Sequence, residues 1–591
     1  MSALYLNSCV DLNLNPLSEG SSSTWYSNKA EIEMSLNDFY RTDFFPIDDM
    51  LWGDDFSRRN MTTSVTDGGL TAESGTISSR WQNYYKGIAR GLRIISNVEA
   101  KGASIGLTES EKNQYEGEAY MYIGYAYGMV AFHWGQGILD KTGMTLEEAY
   151  QATLSPKKDL LDFAYECLDN AASRLPATSA GTQRFTKGTA LAFKARIALY
   201  NGDYEVAAKA AEDCMNLNVY KLHNNYEALF TATTSPEWIF VFKGDKALKQ
   251  YYWGAADPNN VLPRTHGGWG TFGASYELVC AYTCTDGKPI DESPLYNPKN
   301  IFENRDPRLA MTIIPFAPKV VLDSGNYNPE DYAFLGIEYS PNPYCTEVMN
   351  FNTGKKIANN DSKARAEHAC YNGFPFKKYI DVTFKKNEDL TISGTESSDK
   401  AYPYLRYGEV LLTLAEAKIE LGTITDDDLN KTVNALRDRA YAGTGIDAPH
   451  LTKSMGQAAL RTAVRTERFV ELAWEGHRYA DLIRWRLAEK VFNTPVYYLN
   501  RAWAGANWSG KYEDANAAYQ VLLKNWDEGN YPIGGVPQID ENGIADLSGM
   551  VEKGYIVVAA QRKFDKERDY LWPIPASDRL INENLGQNPN W

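Results

Sequence analysis

The feature that most constrains this chain is a pair of helical-spacing stretches, 189–200 and 204–217, separated only by Asn201-Gly202-Asp203. Two helices joined by so short a turn must run antiparallel and touch. The small residues Ala195, Ala198, Ala207, Ala211 and Cys214 fall where the two backbones approach. That spacing matches a tetratricopeptide-type helical hairpin. A second hairpin is predicted over 405–421 and 429–440, with Ala415 and Ala417 at its small positions. No clean period of about 34 residues runs through the chain, so a helical scaffold with interrupted repeats is expected rather than a regular solenoid.

Further helices are predicted upstream. Trp81, Tyr84, Tyr85, Ile88, Leu92 and Ile95 recur at helical spacing. Residues 110–134 predict a second helix, opened by Thr108-Glu109-Ser110-Glu111. Ser155 is the expected cap of a third, running through Leu160, Leu161, Ala164, Leu168 and Ala171 before Pro176. The apolar run 120–134 is interrupted by Gly124, Gly128 and His133, and a bilayer span needs about 20 apolar residues. A buried helix is expected there instead.

Composition shifts after residue 242. Residues 243–400 are rich in Gly, Pro, Asn, Asp and Tyr, with short strands expected at 238–242 and 311–314. A loop region that long inside a compact protein is usually functional. A second irregular region, 493–560, carries Tyr497, Tyr498, Trp503, Trp508 and Trp526. The chain as a whole holds 60 Lys+Arg against 76 Asp+Glu, a formal net charge of −16. That balance argues against general nucleic-acid binding, which needs clustered cations for phosphates. The aromatic share of 13%, with 39 Tyr and 14 Trp, either fills a helical core or faces ligands that stack on rings. Seven Cys with no CxxC pair do not read as a disulfide framework.

Motifs for chemistry are few. Residues 268–273 fit GxGxxG, but Pro263-Arg264-Thr265-His266-Gly267 before them is no strand, so a ligand or surface loop is expected rather than a dinucleotide site. Asp54-Asp55 is a carboxylate pair of the kind a glycosidase needs across a cleft. Glu467, Glu471 and Glu475 alternate with Arg465, Arg468 and Arg478, which predicts an ion-pair ladder along one helix. Cys280, Cys284 and His266 make only a thin zinc proposal, and there is no DxDxDG calcium loop. No metal, cofactor or catalytic constellation is expected.

The C-terminal half carries a series of motifs in fixed order. Tyr404-Leu405-Arg406-Tyr407-Gly408-Glu409 leads to Ala415-Glu416-Ala417, then Asn434-Ala435-Leu436-Arg437. Arg465-Thr466-Glu467-Arg468-Phe469 and Glu475-Gly476-His477-Arg478-Tyr479 follow. The chain closes with Leu571-Trp572-Pro573-Ile574-Pro575 and Gln587-Asn588-Pro589. Upstream lie Asp286-Gly287-Lys288-Pro289-Ile290 and Asn304-Arg305-Asp306-Pro307-Arg308-Leu309. Together these resemble the SusD/RagB family of outer-membrane nutrient-binding lipoproteins, over nearly the whole chain.

The resemblance implies a mainly α fold: a tetratricopeptide-like scaffold whose loop-rich, short-strand insertions form a ligand-binding face. It implies a non-catalytic, surface-exposed protein that captures an oligosaccharide or polysaccharide and works with a SusC-like TonB-dependent transporter. Leu6-Asn7-Ser8-Cys9 has the shape of the end of a bacterial lipoprotein signal, and Cys9 matches the family's lipid-anchor position, although eight preceding residues are too few for a whole signal. The expected division is 1–20 as an anchor tail, 21–242 as an N-terminal helical region, 243–400 as the ligand-binding segment and 401–591 as the C-terminal region containing the 493–560 insertion.

A sugar offers apolar C–H faces and a ring of hydroxyls, so its site needs flat rings plus a few polar partners. Tyr252, Trp253, Trp269 and Tyr276, on glycine-rich backbone, are the candidate rings. Asn259, Asn260 and Arg264 are the candidate hydroxyl partners, and Trp503 and Trp508 are secondary rings. Two alternatives stand beside glycan binding: a glycoside hydrolase, and a protein-interaction scaffold without glycan affinity.

Overall fold

The computed structural model describes residues 25–58, 62–179, 184–245, 258–362, 372–380, 401–499, 512–532 and 534–591. Its first half is built from α1 (Lys29–Asn37), α2 (Gly75–Lys101), α3 (Glu109–Trp134), α4 (Leu146–Gln151), α5 (Lys157–Arg174), α6 (Lys187–Asn201) and α7 (Tyr204–Asn216). Thr108 and Glu111 exchange side-chain-to-backbone hydrogen bonds at the start of α3, a capping box. The α6–α7 hairpin forms as expected. Gly202 closes α6 in the left-handed region, at φ 81°, and the Asp203 amide donates to the Ala198 carbonyl at 2.8 Å.

A helix apolar on every side has to be enclosed on every side, and α3 packs against α2, α5 and α6 at once. Two glycines allow that approach. A Cβ on Gly124 would lie 2.6 Å from Leu168, and one on Gly128 would lie 2.4 Å from Ile197. The 120–134 run is therefore core, and no helix of the described residues is long and apolar enough to cross a membrane. Rings from distant segments fill the space beside it. Phe39 stacks on Tyr122 at 4.7 Å and Phe45 on Tyr125 at 4.5 Å, with Phe193, Phe240 and Tyr404 closing the cluster.

Several elements differ from the sequence expectation. Ser155 does not cap α5; it pairs with Gly137 in a short antiparallel ladder, and the helix starts at Lys157 after Pro156. Residues 311–314 are not a strand. Pro307 and the Asp306 carboxylate, which accepts from the Arg308 amide at 2.9 Å, start the helix Arg308–Thr312, and only Ile313 bridges to Phe376. The second hairpin begins as a strand, Tyr402–Arg406, before the helix Tyr407–Glu420. Its other arm breaks at Thr432 into Asp426–Lys431 and Val433–Tyr441. The 493–560 region also contains a helix, Tyr512–Asp527.

Both irregular regions are closed at their bases. Strand Trp238–Phe242, formed as predicted, pairs antiparallel with Tyr402–Arg406, so the chain leaves for 243–400 and returns on neighbouring strands. Pro495–Leu499 pairs in the same way with Ile556–Gln561 around the second region. Inside the first, Ala333–Phe334, Ile337–Glu338, Glu347–Asn350 and Lys355–Ala358 form a four-stranded antiparallel meander.

The expected ladder is corrected in two respects: the helix Gln457–Glu471 ends before Glu475 and Arg478, and the charges are mostly buried with partners from elsewhere in the chain. Arg406 donates to Glu237 and Glu471, both at 2.8 Å, and bidentately to Glu475 at 2.7 and 2.8 Å. Glu471 also pairs with Arg439 and Arg308, and Glu467 with Arg308 and Arg437. Lys378 binds Glu475 at 2.7 Å, and Asp306 binds Arg308 at 2.7 Å. Arg468, on the same helix, pairs with Asp481 rather than with its helix neighbours. Burial alone would raise the Glu471 pKa, but Arg439, Arg406 and Arg308 outweigh it and hold the carboxyl far below its ordinary range.

Removing one member of such a cluster strands its partners as buried charges. Arg406→Ala is expected to cost about 3–5 kcal/mol in urea unfolding, a scale typical of broken buried pairs. Lys158→Ala, which removes an exposed pair with Asp162, should leave the curve unmoved. Because Glu471 titrates lower folded than unfolded, its stabilisation is complete above about pH 5 and is lost as pH falls further. A wild-type stability profile flat from pH 7 to 3 would contradict this.

Candidate functional site

Trp269 sits on a tight turn built almost wholly from backbone. Val261 and Leu262 are fully buried and anchor its entry. Gly268 N–H donates to the Pro263 carbonyl at 3.0 Å, Gly270 N–H to Leu262 at 2.9 Å and Thr271 N–H to Asn260 at 2.7 Å. Gly267 and Gly270 take positive φ, and a Cβ on Gly268 would lie 2.1 Å from the Leu262 carbonyl oxygen. With glycine on both sides the turn folds tightly, and the indole of Trp269 is left 50% exposed. Strand Phe272–Ala274 then pairs with Phe56–Arg58 and fixes the exit.

A buried clamp ties this turn to a second one. The Asp361 carboxylate accepts from the amides of Arg264 at 3.0 Å and Thr265 at 2.8 Å. Asn359 accepts from the Thr265 hydroxyl at 3.1 Å and donates to the carbonyls of Ser340 and Cys345, both at 2.9 Å. The tethered 340–345 turn presents Tyr344, also 50% exposed, whose hydroxyl donates to Asp527 at 2.8 Å. Tyr519 donates to the Pro343 carbonyl at 3.2 Å. Two half-exposed rings are thus carried on turns linked through one Asn–Asp pair. Tyr344, Asn359 and Asp361 were not singled out from the sequence. Their only local mark is the Ser340-Pro341-Asn342-Pro343 turn before Tyr344.

The other sequence candidates divide. Tyr276 is corrected: it is fully buried at the start of helix Tyr276–Ala281, edge-on to Phe374 at 5.1 Å, and its hydroxyl donates to the Pro532 carbonyl. The helix turns that ring inward, away from any ligand. Arg264 lies beside the turn, its guanidinium donating to the Gly268 carbonyl at 3.3 Å, and half-buried Asn260 supplies a backbone acceptor to it. Cys9, Tyr252, Trp253, Trp503 and Trp508 lie outside the described residues, as does the side chain of Asn259. Tyr497, Tyr498 and Trp526 are buried.

The remaining motifs take structural places. Residues 268–273 run into the short strand Phe272–Ala274 rather than directly into a helix. His266 faces the carbonyls of Phe334 and Ile337, each at 3.1 Å, while burial pushes the Cys280 thiol up to about 12. Asp54 pairs with Arg478, and Asp55 accepts from the Trp474 amide at 2.7 Å. Both are buried, so this pair faces no cleft. Burial, then the charge of Asp54, raises the Asp55 pKa to about 6.

The comparisons with known proteins fall into line with this architecture. The SusD family model matches residues 236–591, and a second, described as starch-binding associating with outer membrane, matches residues 35–199. The chain belongs to the SusD family. SusD-like protein P2 of Formosa agariphila is 22% identical over 513 residues, covering 83% of this chain and 90% of that protein. A SusD-like carbohydrate-binding protein of Bacteroides fragilis superposes with a TM-score of 0.69 at 26% identity, over 95% of this chain and 100% of its own. A laminarin-binding SusD-like protein shares the fold, with a TM-score of 0.55 at 17% identity over 95% of this chain and 100% of its own. The scaffold is the helical, tetratricopeptide-like one of that family.

Two substitutions test the local physics. Gly268→Ala forces the turn apart, so amide exchange at 270–271 is expected to quicken by roughly tenfold or more. Unchanged exchange would mean the turn tolerates a Cβ. Asp55→Asn keeps an acceptor for Trp474 and removes a charge that is costly above its pKa. A carboxyl titrating higher folded than unfolded loses stability as pH rises from about 4 to 6, a difference of roughly 3 kcal/mol at most. The Tm gain of Asp55→Asn should therefore be larger at pH 8 than at pH 5; a gain that shrinks with pH would refute the assignment.

Proposed function

We propose that this protein binds oligosaccharide or polysaccharide at the cell surface and delivers it to a SusC-like TonB-dependent outer-membrane transporter, without hydrolysing it. The observation that carries the binding half is the half-exposed Trp269, held on a preformed turn that Asp361 and Asn359 tie to the turn carrying half-exposed Tyr344. Flat rings bury sugar C–H faces, and a fixed turn reduces the ordering cost of binding. Arg264 and Asn260 stand at the same turn as proposed hydroxyl partners, and Tyr252, Trp253, Trp503 and Trp508 are further proposed ring contacts. The carbohydrate-binding relative from Bacteroides fragilis and the laminarin-binding relative support a glycan ligand. The starch-binding, outer-membrane family supports the location, with Cys9 as the proposed lipid anchor. The buried state of Asp54 and Asp55 supports the non-catalytic half, because neither can reach a glycosidic bond.

Titration calorimetry against laminarin, xyloglucan and starch oligosaccharides tests this reading. At least one should bind, and Trp269→Ala should weaken it roughly tenfold or more while leaving the thermal melt in place. Tyr344→Ala should weaken it by less. Binding that ignores Trp269→Ala would move the site elsewhere. Release of reducing sugar from a bound glycan would overturn the non-enzymatic assignment.

A further inference from the structure

The buried arginines of the C-terminal motifs and their partners, Arg308, Arg406, Arg468, Arg478 and Arg484, each pair with a carboxylate. Two half-buried arginines at the Trp269 turn do not. Arg264 lies at the entry to that turn, and Arg58 lies on the strand that pairs with its exit, opposite Phe272. Neither makes an ion pair among the described residues.

Both guanidiniums are nonetheless held. Arg264 donates from Nη1 to the Gly268 carbonyl at 3.3 Å, which sets its charge one residue along the chain from Trp269. Arg58 lies over the Phe272 ring, 5.7 Å from its centroid. The other guanidinium nitrogens make no hydrogen bond and are not walled off from solvent, so their N–H groups are open to a ligand. An unpaired arginine that hangs free in water is ordinary. Two that are held at the entry and exit of one turn, which itself carries a half-exposed indole, form a preorganised set of donors.

The acids tied to the same segments are already engaged. Asp361 spends one carboxylate oxygen on the Arg264 amide and the other on the Thr265 amide, not on the guanidinium. Asp54 pairs with Arg478, and Asp55 accepts from the Trp474 amide. The turn therefore carries positive charge that the fold does not pair, on a chain whose net charge is −16.

A guanidinium binds planar carboxylates and other oxyanions through paired N–H donors. A sugar lying flat on an indole projects its exocyclic groups from the ring edge. We propose that the Trp269 turn selects an acidic glycan, one bearing a carboxylate or sulfate ester on or next to the stacked sugar. Arg264 is the main anion contact and Arg58 a second. This rests on the glycan reading of Trp269 and adds the substrate class to it.

The test uses matched ligands on the full chain. Laminarin, xyloglucan and starch oligosaccharides are each titrated beside their C6-oxidised, uronate-bearing forms and their 6-O-sulfated forms. For whichever backbone binds, an acidic form should bind wild type roughly tenfold tighter than the neutral one, and that advantage should shrink as salt is raised. The oxidised and sulfated arms tell carboxylate from sulfate ester. Arg264→Gln should bring the acid-to-neutral affinity ratio close to one. Arg264→Lys should keep part of it, because a point charge replaces the fork, and Arg58→Gln should lower it less. An acidic form that binds no better than the neutral one, or a ratio that survives Arg264→Gln, overturns the preference and leaves glycan binding at Trp269 standing. If no form binds, or binding ignores Trp269→Ala, the glycan reading of this turn falls and the preference falls with it.

Discussion

The fold depends on the buried charge cluster around Arg406. Glu237, Asp306, Glu467, Glu471 and Glu475 meet Arg308, Lys378, Arg406, Arg437 and Arg439, and every one of them is buried. The signs balance five against five, so the cluster is tolerable only when complete. Its members come from residue 237 before the entering strand, the middle (306 and 308) and far part (378) of the first irregular region, the returning strand, and two C-terminal helices with the turn after the second. No pair of these segments can settle without satisfying the rest. One electrostatic node thus decides how the helical scaffold, the first insertion and the C-terminal hairpins meet.

Most of the scaffold was legible because helix signals are local. Thr108 with Glu111, the Asn201-Gly202-Asp203 turn and the apolar spacing of α2 and α3 each act within a few residues, and each formed where expected. The charge cluster was legible only in part. Spacing at i, i+4, i+8 predicts one shared face for Glu467, Glu471 and Glu475, but the helix ends at Glu471 and Glu475 lies in the turn beyond it, and the spacing says nothing of what lies opposite. Arg308 and Arg406 are far off in sequence and stand among quoted motifs, yet no local pattern connects them to the glutamates. The strand expected at 311–314 failed for the converse reason. Its apolar residues suit either state, and Asp306 and Pro307 just upstream decided for helix.

The candidate site shows the same division. Trp269 was visible because glycine on both sides of a tryptophan is itself a local pattern, and the structure turns that pattern into an exposed ring. Tyr276 looked equivalent in composition but entered a helix whose capping residue, Ser275, sets its register and sends the ring inward. Tyr344 and its supports Asn359 and Asp361 were invisible because their meaning is a contact across about a hundred residues with 264 and 265. Composition names the residue types a sugar site can use. Which of them face outward is a tertiary fact.

The separation of the scaffold from the proposed ligand face has a mechanical basis. Each irregular region leaves and re-enters through a two-stranded antiparallel ladder, so whatever lies between the paired strands can vary while the base stays fixed. The Trp269 turn carries that logic to atomic scale. Its backbone is held by the carbonyls of Asn260, Leu262 and Pro263 and by the Asp361 carboxylate. A ring carried this way can be exchanged for another residue at little cost to the turn, and binding can change without disturbing the charge cluster beneath. The net charge of −16 is therefore a poor guide to the ligand. The cluster around Arg406 sets five acids against five bases and so leaves the whole −16 outside it, whereas the surface proposed to meet a sugar is drawn by a few rings on rigid turns.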